Sequence, residues 1–129
     1  MTVGAEATLA HRVREPDLAT AFANDVPVLA TPVLLWLAEL AAMRAVEGEL
    51  GPDEMTVGVA HRAEHLAATP RGHTVTVRAR LVDVDGARLR FEVSGRDGSE
   101  PVLAGEHDRF VVSADRFRDR VRRKEGRAA

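Results

Sequence analysis

Between Val26 and Met43 the sequence carries a single charged side chain, Glu39, inside an otherwise apolar run. Burying an unpaired carboxylate is expensive, so Glu39 must be protonated, hydrogen-bonded or paired. It is either a catalytic carboxylate or a structural one that satisfies a nearby backbone group or arginine. His65 is the second candidate. If Met55–Ala67 alternates as a strand, Val57, Val59, His61, Ala63, His65 and Ala67 share the face turned toward that apolar run. A lone inward histidine is more often a satisfied core residue than a catalyst, and His61 is a weaker rival on the same face. His11, His73 and His107 fall at strand ends or in polar runs, where solvent contact explains them. Thr31 precedes Pro32, and helix capping alone accounts for a threonine there. Gly58, inside a strand, marks a bulge or a close backbone approach by a ligand.

Several chemistries are excluded. The chain has no cysteine, which removes a thiol nucleophile, a disulfide scaffold and a thiolate zinc site. No two histidines stand at a helical metal-ligand spacing, so no metal site is expected. There is no glycine-rich phosphate loop and no serine nucleophile elbow.

The elements that must position these residues follow from pattern and size. At 129 residues the chain is read as one domain, residues 1–129, large enough to fold without staples. Its 45% apolar and 29% charged residues are those of a soluble globular protein, with no cofactor called for. Val26–Met43 is nearly long enough to span a membrane, but Pro27, Pro32 and a mid-span Glu39 argue for a buried soluble helix instead. No signal peptide is visible, and the cytoplasm is the default location.

Residues 5–13 alternate loosely as a first strand, and 17–30 read as a loop or short helix. Thr31-Pro32 opens the main helix, with Val33–Glu47 as its body and Gly48 or Gly51-Pro52 as its end. Its first eleven residues are apolar nearly all round, the mark of a helix buried on most sides. Four strand-like runs follow: 55–67, 74–81, 87–93 and 102–112. Val75, Val77, Ala79 and Leu81 face inward on the second of these, and Leu89, Phe91 and Val93 on the third. Turns are expected at 69–72, 83–86 and 96–99, and Ser113 caps a short basic helix with Phe117 and Val121 as its apolar spots. A strand, a long apolar helix and an antiparallel meander make an α+β layout. So apolar a helix needs a sheet curved around it, which is the hotdog arrangement.

The net charge of −2 is unevenly placed. Residues 113–129 hold seven basic side chains against three acidic ones, a local +4, which leaves −6 on the rest. A nucleic-acid binder would show a broader basic face, so no nucleic-acid or membrane partner is expected.

Taken together, Ala30-Thr31-Pro32, Glu39 eight residues on, Val57-Gly58-Val59 and Glu64-His65-Leu66-Ala67-Ala68-Thr69-Pro70 resemble the fluoroacetyl-CoA thioesterase family of hotdog enzymes. The likeness continues through Gly72-His73-Thr74-Val75-Thr76-Val77 to Phe117 and Val121-Arg122-Arg123-Lys124. The resemblance implies hydrolysis of a short-chain acyl-CoA thioester, with Thr31, Glu39 and His65 as the catalytic set and Gly58 beside the acyl pocket. Coenzyme A is then part of the substrate rather than a cofactor. It also implies a homodimer with the active sites at the subunit interface, a tetramer being left open. Residues 15–30 depart from the fluoroacetyl-specific pattern, which has a longer, phenylalanine-containing lid. Phe22 is the one aromatic here, and another small acyl group fits better.

On this reading Glu39 is base or nucleophile, since a desolvated carboxylate is a stronger base than one in water. His65 polarises the carbonyl or protonates the thiolate. Thr31 positions water or the glutamate, or is itself a transient nucleophile. N–H groups at the helix start offer an oxyanion site. The C-terminal arginines are a solvated face, or in part meet CoA phosphates. The alternatives are an enoyl-CoA hydratase-type hotdog enzyme, a non-catalytic acyl-CoA sensor and a domain that binds partners through its basic helix.

Overall fold

The computed structural model describes residues 1–98 and 100–127. Strand β1 (Glu6–Arg12) leads through two 3-10 turns, Glu15–Asp17 and Ala19–Phe22, to helix α1 (Thr31–Val46). Strands β2 (Glu54–His65), β3 (Thr74–Asp85), β4 (Arg88–Asp97) and β5 (Glu100–Ser113) follow, and helix α2 (Ala114–Glu125) closes the chain. The strands form one antiparallel sheet in the order β1-β3-β4-β5-β2. It curves around α1, the hotdog arrangement the apolar helix calls for.

The core lies between helix and sheet. Val75, Val77, Ala79 and Leu81 of β3 and Leu89, Phe91 and Val93 of β4 are buried, as their alternation dictates. From α1 come Val33, Leu34, Leu37, Ala38, Ala41, Ala42 and Val46. The alanines let the helix backbone approach the sheet, and the larger residues fill the space at either side. Truncating Phe91 to alanine in such a core costs about 3–5 kcal/mol. The helix is not covered all round, however. Trp36 keeps 49% of its surface, and Leu35, Leu40 and Met43 are only partly buried. One curved sheet covers one side of a helix, so apolar character around the whole circumference outruns what this chain alone can bury.

Two strand irregularities shape the site. In β2 the pairing with β5 slips between Gly58 and Ala60, leaving Val59 as an extra residue. A bulge reverses which residues face inward. Thr56 and Gly58 point at the helix before it, and His61, Ala63 and His65 after it. The single alternation expected over Met55–Ala67 is therefore wrong for Val57 and Val59, and Val59 is 43% exposed. In β3 a second slip at Val82 lengthens the β3–β4 ladder, so the turn falls at Gly86-Ala87 rather than starting at Asp83. Gly86 has φ +60, a left-handed conformation glycine adopts without strain.

Candidate active site

Thr31 opens α1 but does not cap it. The cap position is Ala30, and no side chain caps the helix. The threonine hydroxyl instead lies 2.8 Å from Nδ1 of His65, at the end of β2. Pro32 has no N–H and that of Val33 donates to the Ala30 carbonyl, so of the first three helical N–H groups only that of Thr31 remains for an oxyanion. Thr31 and His65 share the wall of a cleft of about 640 Å³ with Ala19, Phe22, Leu29 and Leu66. Burial pushes the His65 pKa below the ordinary histidine value, although the Ala67 backbone opposes this. The imidazole is therefore neutral at neutral pH and able to accept a proton. Its Nε2 is shielded from water and lacks a hydrogen-bond partner among the described residues.

Glu39 stands apart from this pair. It accepts a hydrogen bond from His61 Nε2 at 3.0 Å and one from Arg109 Nη1 at 3.0 Å. No hydrogen bond joins it to Thr31 or His65 among the described residues. The spacing explains why. Eight residues of helix advance about 12 Å, and four residues of strand about 13 Å. Thr31–His65 and Glu39–His61 are thus successive rungs between α1 and an antiparallel β2, too far apart for one hydrogen-bonded triad within a chain.

The second rung is held from below. Arg109 is almost fully buried, and it also donates to the Thr56 hydroxyl at 2.8 Å, the Thr56 carbonyl at 3.1 Å and His107 Nε2 at 3.1 Å. His107 donates its Nδ1 proton to the Ala60 carbonyl at 2.9 Å and stacks on His61, with ring centroids 4.2 Å apart. These bonds fix His107 as the neutral Nδ1–H tautomer, and its pKa is lowered, by burial first. The expectation that His107 meets solvent is wrong: its inward parity, shared with Leu103, places it in the core. For Glu39, burial raises the pKa, but the hydrogen bonds from His61 and Arg109 outweigh it and leave the carboxyl below its ordinary value. Glu39 is therefore a firmly ionised, paired carboxylate and not the strengthened base that burial alone would give.

Glu39, His61 and His107 each offer a ligand atom, all within 4.8 Å of one another. Arg109 already bonds two of the three, Glu39 and His107, and its positive charge opposes a cation there. The group is better described as a hydrogen-bonded lattice around an arginine. Gly58 is part of it for a steric reason. A Cβ at that position would stand 2.7 Å from Glu39 Oε1 and 3.1 Å from Arg109 Nη1.

Arg109, Thr56 and His107 are the site residues that sequence reasoning missed, and His61 was ranked too low. A signal was present: Glu106-His107-Asp108-Arg109 puts four polar residues in succession at the middle of a strand. His107 and Arg109 turn toward the helix, while Asp108, fully buried, turns the other way to Arg88 and Arg90.

Residues 13–115 match the family model described as fluoroacetyl-CoA-specific thioesterase. A fluoroacetyl-CoA thioesterase from Streptantibioticus cattleyicolor is 42% identical over 103 residues, 80% of this chain and 74% of that protein. A crystal structure of the fluoroacetyl-CoA thioesterase FlK superposes with a TM-score of 0.90 at 37% identity, covering 96% of this chain and 97% of the other. A thioesterase superfamily member from Thermus thermophilus shares the fold, with a TM-score of 0.91 at 23% identity over 98% of this chain and 94% of that one. Fold and family match together define a hotdog thioester hydrolase. Within that class, the chain belongs to the fluoroacetyl-CoA-specific thioesterase family.

Proposed function

We propose that the protein hydrolyses the CoA thioester of a small acyl group, with Thr31 and His65 acting on the substrate. The observation that carries this reading is the 2.8 Å contact between the Thr31 hydroxyl and a neutral His65 on the wall of a largely apolar cleft. The Thr31 hydroxyl gives its proton to His65 Nδ1 and takes one from a bound water, whose oxygen bonds to the thioester carbon. Collapse of the tetrahedral alkoxide breaks the carbon–sulfur bond, and the imidazolium returns its proton to the CoA thiolate. The Thr31 N–H faces the developing oxyanion. Glu39, kept anionic by Arg109, fixes His61 and the backbone around Gly58 on the acyl side of the site.

The working unit is a homodimer joined along β2. That strand is one outer edge of the sheet and has 12 residues against 7 for β1, the other edge. Long open edges are ordinarily paired or covered. A second copy would shield exposed Val59 and reduce the one-third of Glu39 that remains in water. Between α1 and the first strand, residues 15–30 form two 3-10 turns with Phe22 half exposed on the cleft wall. A short wall with one aromatic favours small acyl groups without selecting for fluoroacetyl. Among the described residues no helix is long and apolar enough to cross a membrane, and cytoplasmic location fits a CoA-dependent enzyme.

The test is a panel of acetyl-, propionyl-, butyryl-, crotonyl- and fluoroacetyl-CoA assayed by free-thiol release. Thiol release from the short saturated esters supports the proposal. Hydration of crotonyl-CoA without thiol release, or tight binding with no turnover, points instead to a hydratase or a sensor.

A further inference from the structure

The cleft that holds Thr31 and His65 has no lysine or arginine on its wall. Coenzyme A ends in a pyrophosphate and a ribose 3′-phosphate, groups that proteins meet with cationic side chains. Those cations must come from elsewhere. The densest basic surface is on and just beyond α2, where Arg120, Arg123 and Lys124 of the helix and Arg127, two residues past its end, gather on one side. Together they line a hollow of about 420 Å³ with no acidic residue on its wall. Arg118 and Arg122 are neutralised by Asp115 and Asp119. None of the four residues around the hollow has an ion-pair partner among the described residues.

Within its own chain this face is badly placed. Ser113, which immediately precedes α2, pairs with Glu54 at the start of β2, whereas His65 ends that strand. Twelve strand residues at about 3.3 Å each separate the two ends by roughly 35–40 Å. A two-fold axis that pairs all of β2 with its copy removes the difficulty. It sets Glu54 of the partner subunit opposite His65, and with it the start of the partner's α2. We propose that the basic face of α2 from one subunit binds the phosphates of the CoA ester whose thioester lies at Thr31 and His65 of the other. This rests on the thioesterase and dimer reading above. Arg14 and Arg71 are nearer in sequence to the cleft, but their hollow also contains Glu15, which pairs with Arg71 at 2.5 Å.

The test compares a CoA ester with the matching pantetheine ester, which lacks the phosphates. Charge reversal by Arg120→Glu with Arg123→Glu should lower the ratio of kcat/KM for the CoA ester to that for the pantetheine ester by tenfold or more. The loss should fall on KM, and added salt should shrink it. Arg120→Gln with Arg123→Gln should shift the ratio less, in the same direction. In a mixed dimer of one His65→Ala subunit and one charge-reversed subunit, the surviving active site faces an intact α2 from its partner and should keep the wild-type KM. A raised KM there assigns the site to the same chain's α2 and overturns the proposal. An unmoved ratio, with DNA or anionic-vesicle binding lost instead, overturns it too, as does a ratio that falls only with Arg71→Glu. Wild-type protein that cleaves neither ester overturns the thioesterase reading as well.

Discussion

Arg109 reaches Glu39 from the last strand, 70 residues along the chain, and closes an ion pair of 3.0 Å beneath the helix. It thereby answers how an isolated carboxylate is tolerated in the apolar run of α1. Arg109→Met should lower stability to denaturant by about 2–3 kcal/mol. That is below the 3–5 kcal/mol typical of a broken buried pair, because Glu39 keeps part of its surface in water. A loss under about 0.5 kcal/mol would show that the pair does not hold the site.

Thr31 is free of a capping role, since Ala30 holds the cap position. Thr31→Val should therefore leave stability within about 0.5 kcal/mol of wild type, while Thr31→Ser keeps activity and Thr31→Val loses it at least tenfold. Removal of a true threonine cap costs about 1 kcal/mol. A loss of that size with turnover intact would return Thr31 to a structural role.

The acid limb of activity follows from His65. Its pKa is lowered, first by burial, so the proton-accepting form persists below the ordinary histidine value of 6.5. The pH profile of kcat/KM should rise with an apparent pKa under 6.5 and be flat near neutrality. Stability should follow the same direction. His65 and His107 bind protons more weakly folded than unfolded, so their contribution is fully present above pH 6.5 and is lost as pH falls from there through their lower folded values. Glu39 adds a further loss at lower pH, below its ordinary value of 4.5. A midpoint of activity above 7 would contradict this environment for His65.

Gly58 is small because Glu39 and Arg109 fill the space a side chain would take. Gly58→Ala must push the carboxylate off its partners, and overpacking of this kind costs about 1–3 kcal/mol. Turnover should fall by tenfold or more while the protein stays folded. If activity and stability are both unchanged, the second rung plays no part in the reaction.

Much of the fold was legible because it follows one rule at a time. The alternations in β3 and β4 gave their inward faces, and the apolar run gave α1. Ser113 caps α2 as expected, accepting a hydrogen bond from the Arg116 N–H. Thr31 and His65 were also legible as candidates, and the structure brings them together. Their grouping with Glu39 was not, because the Val59 bulge and the rise of helix against strand decide which histidine meets which helical residue. Arg109 was hidden for a related reason. A buried cation looks like a surface one until its partners, here Thr56, His107 and Glu39, are placed by long-range pairing. The half-exposed Trp36 shows the limit of reading burial from composition, since an apolar run does not say which of its faces the sheet covers.

The most direct measurement is single-residue replacement at the imidazole that meets Thr31. His65→Ala should fold with an unaltered circular dichroism spectrum and release CoA from acetyl- or propionyl-CoA about 10²–10⁴-fold more slowly than wild type. A folded His65→Ala protein with wild-type thiol release would contradict the account.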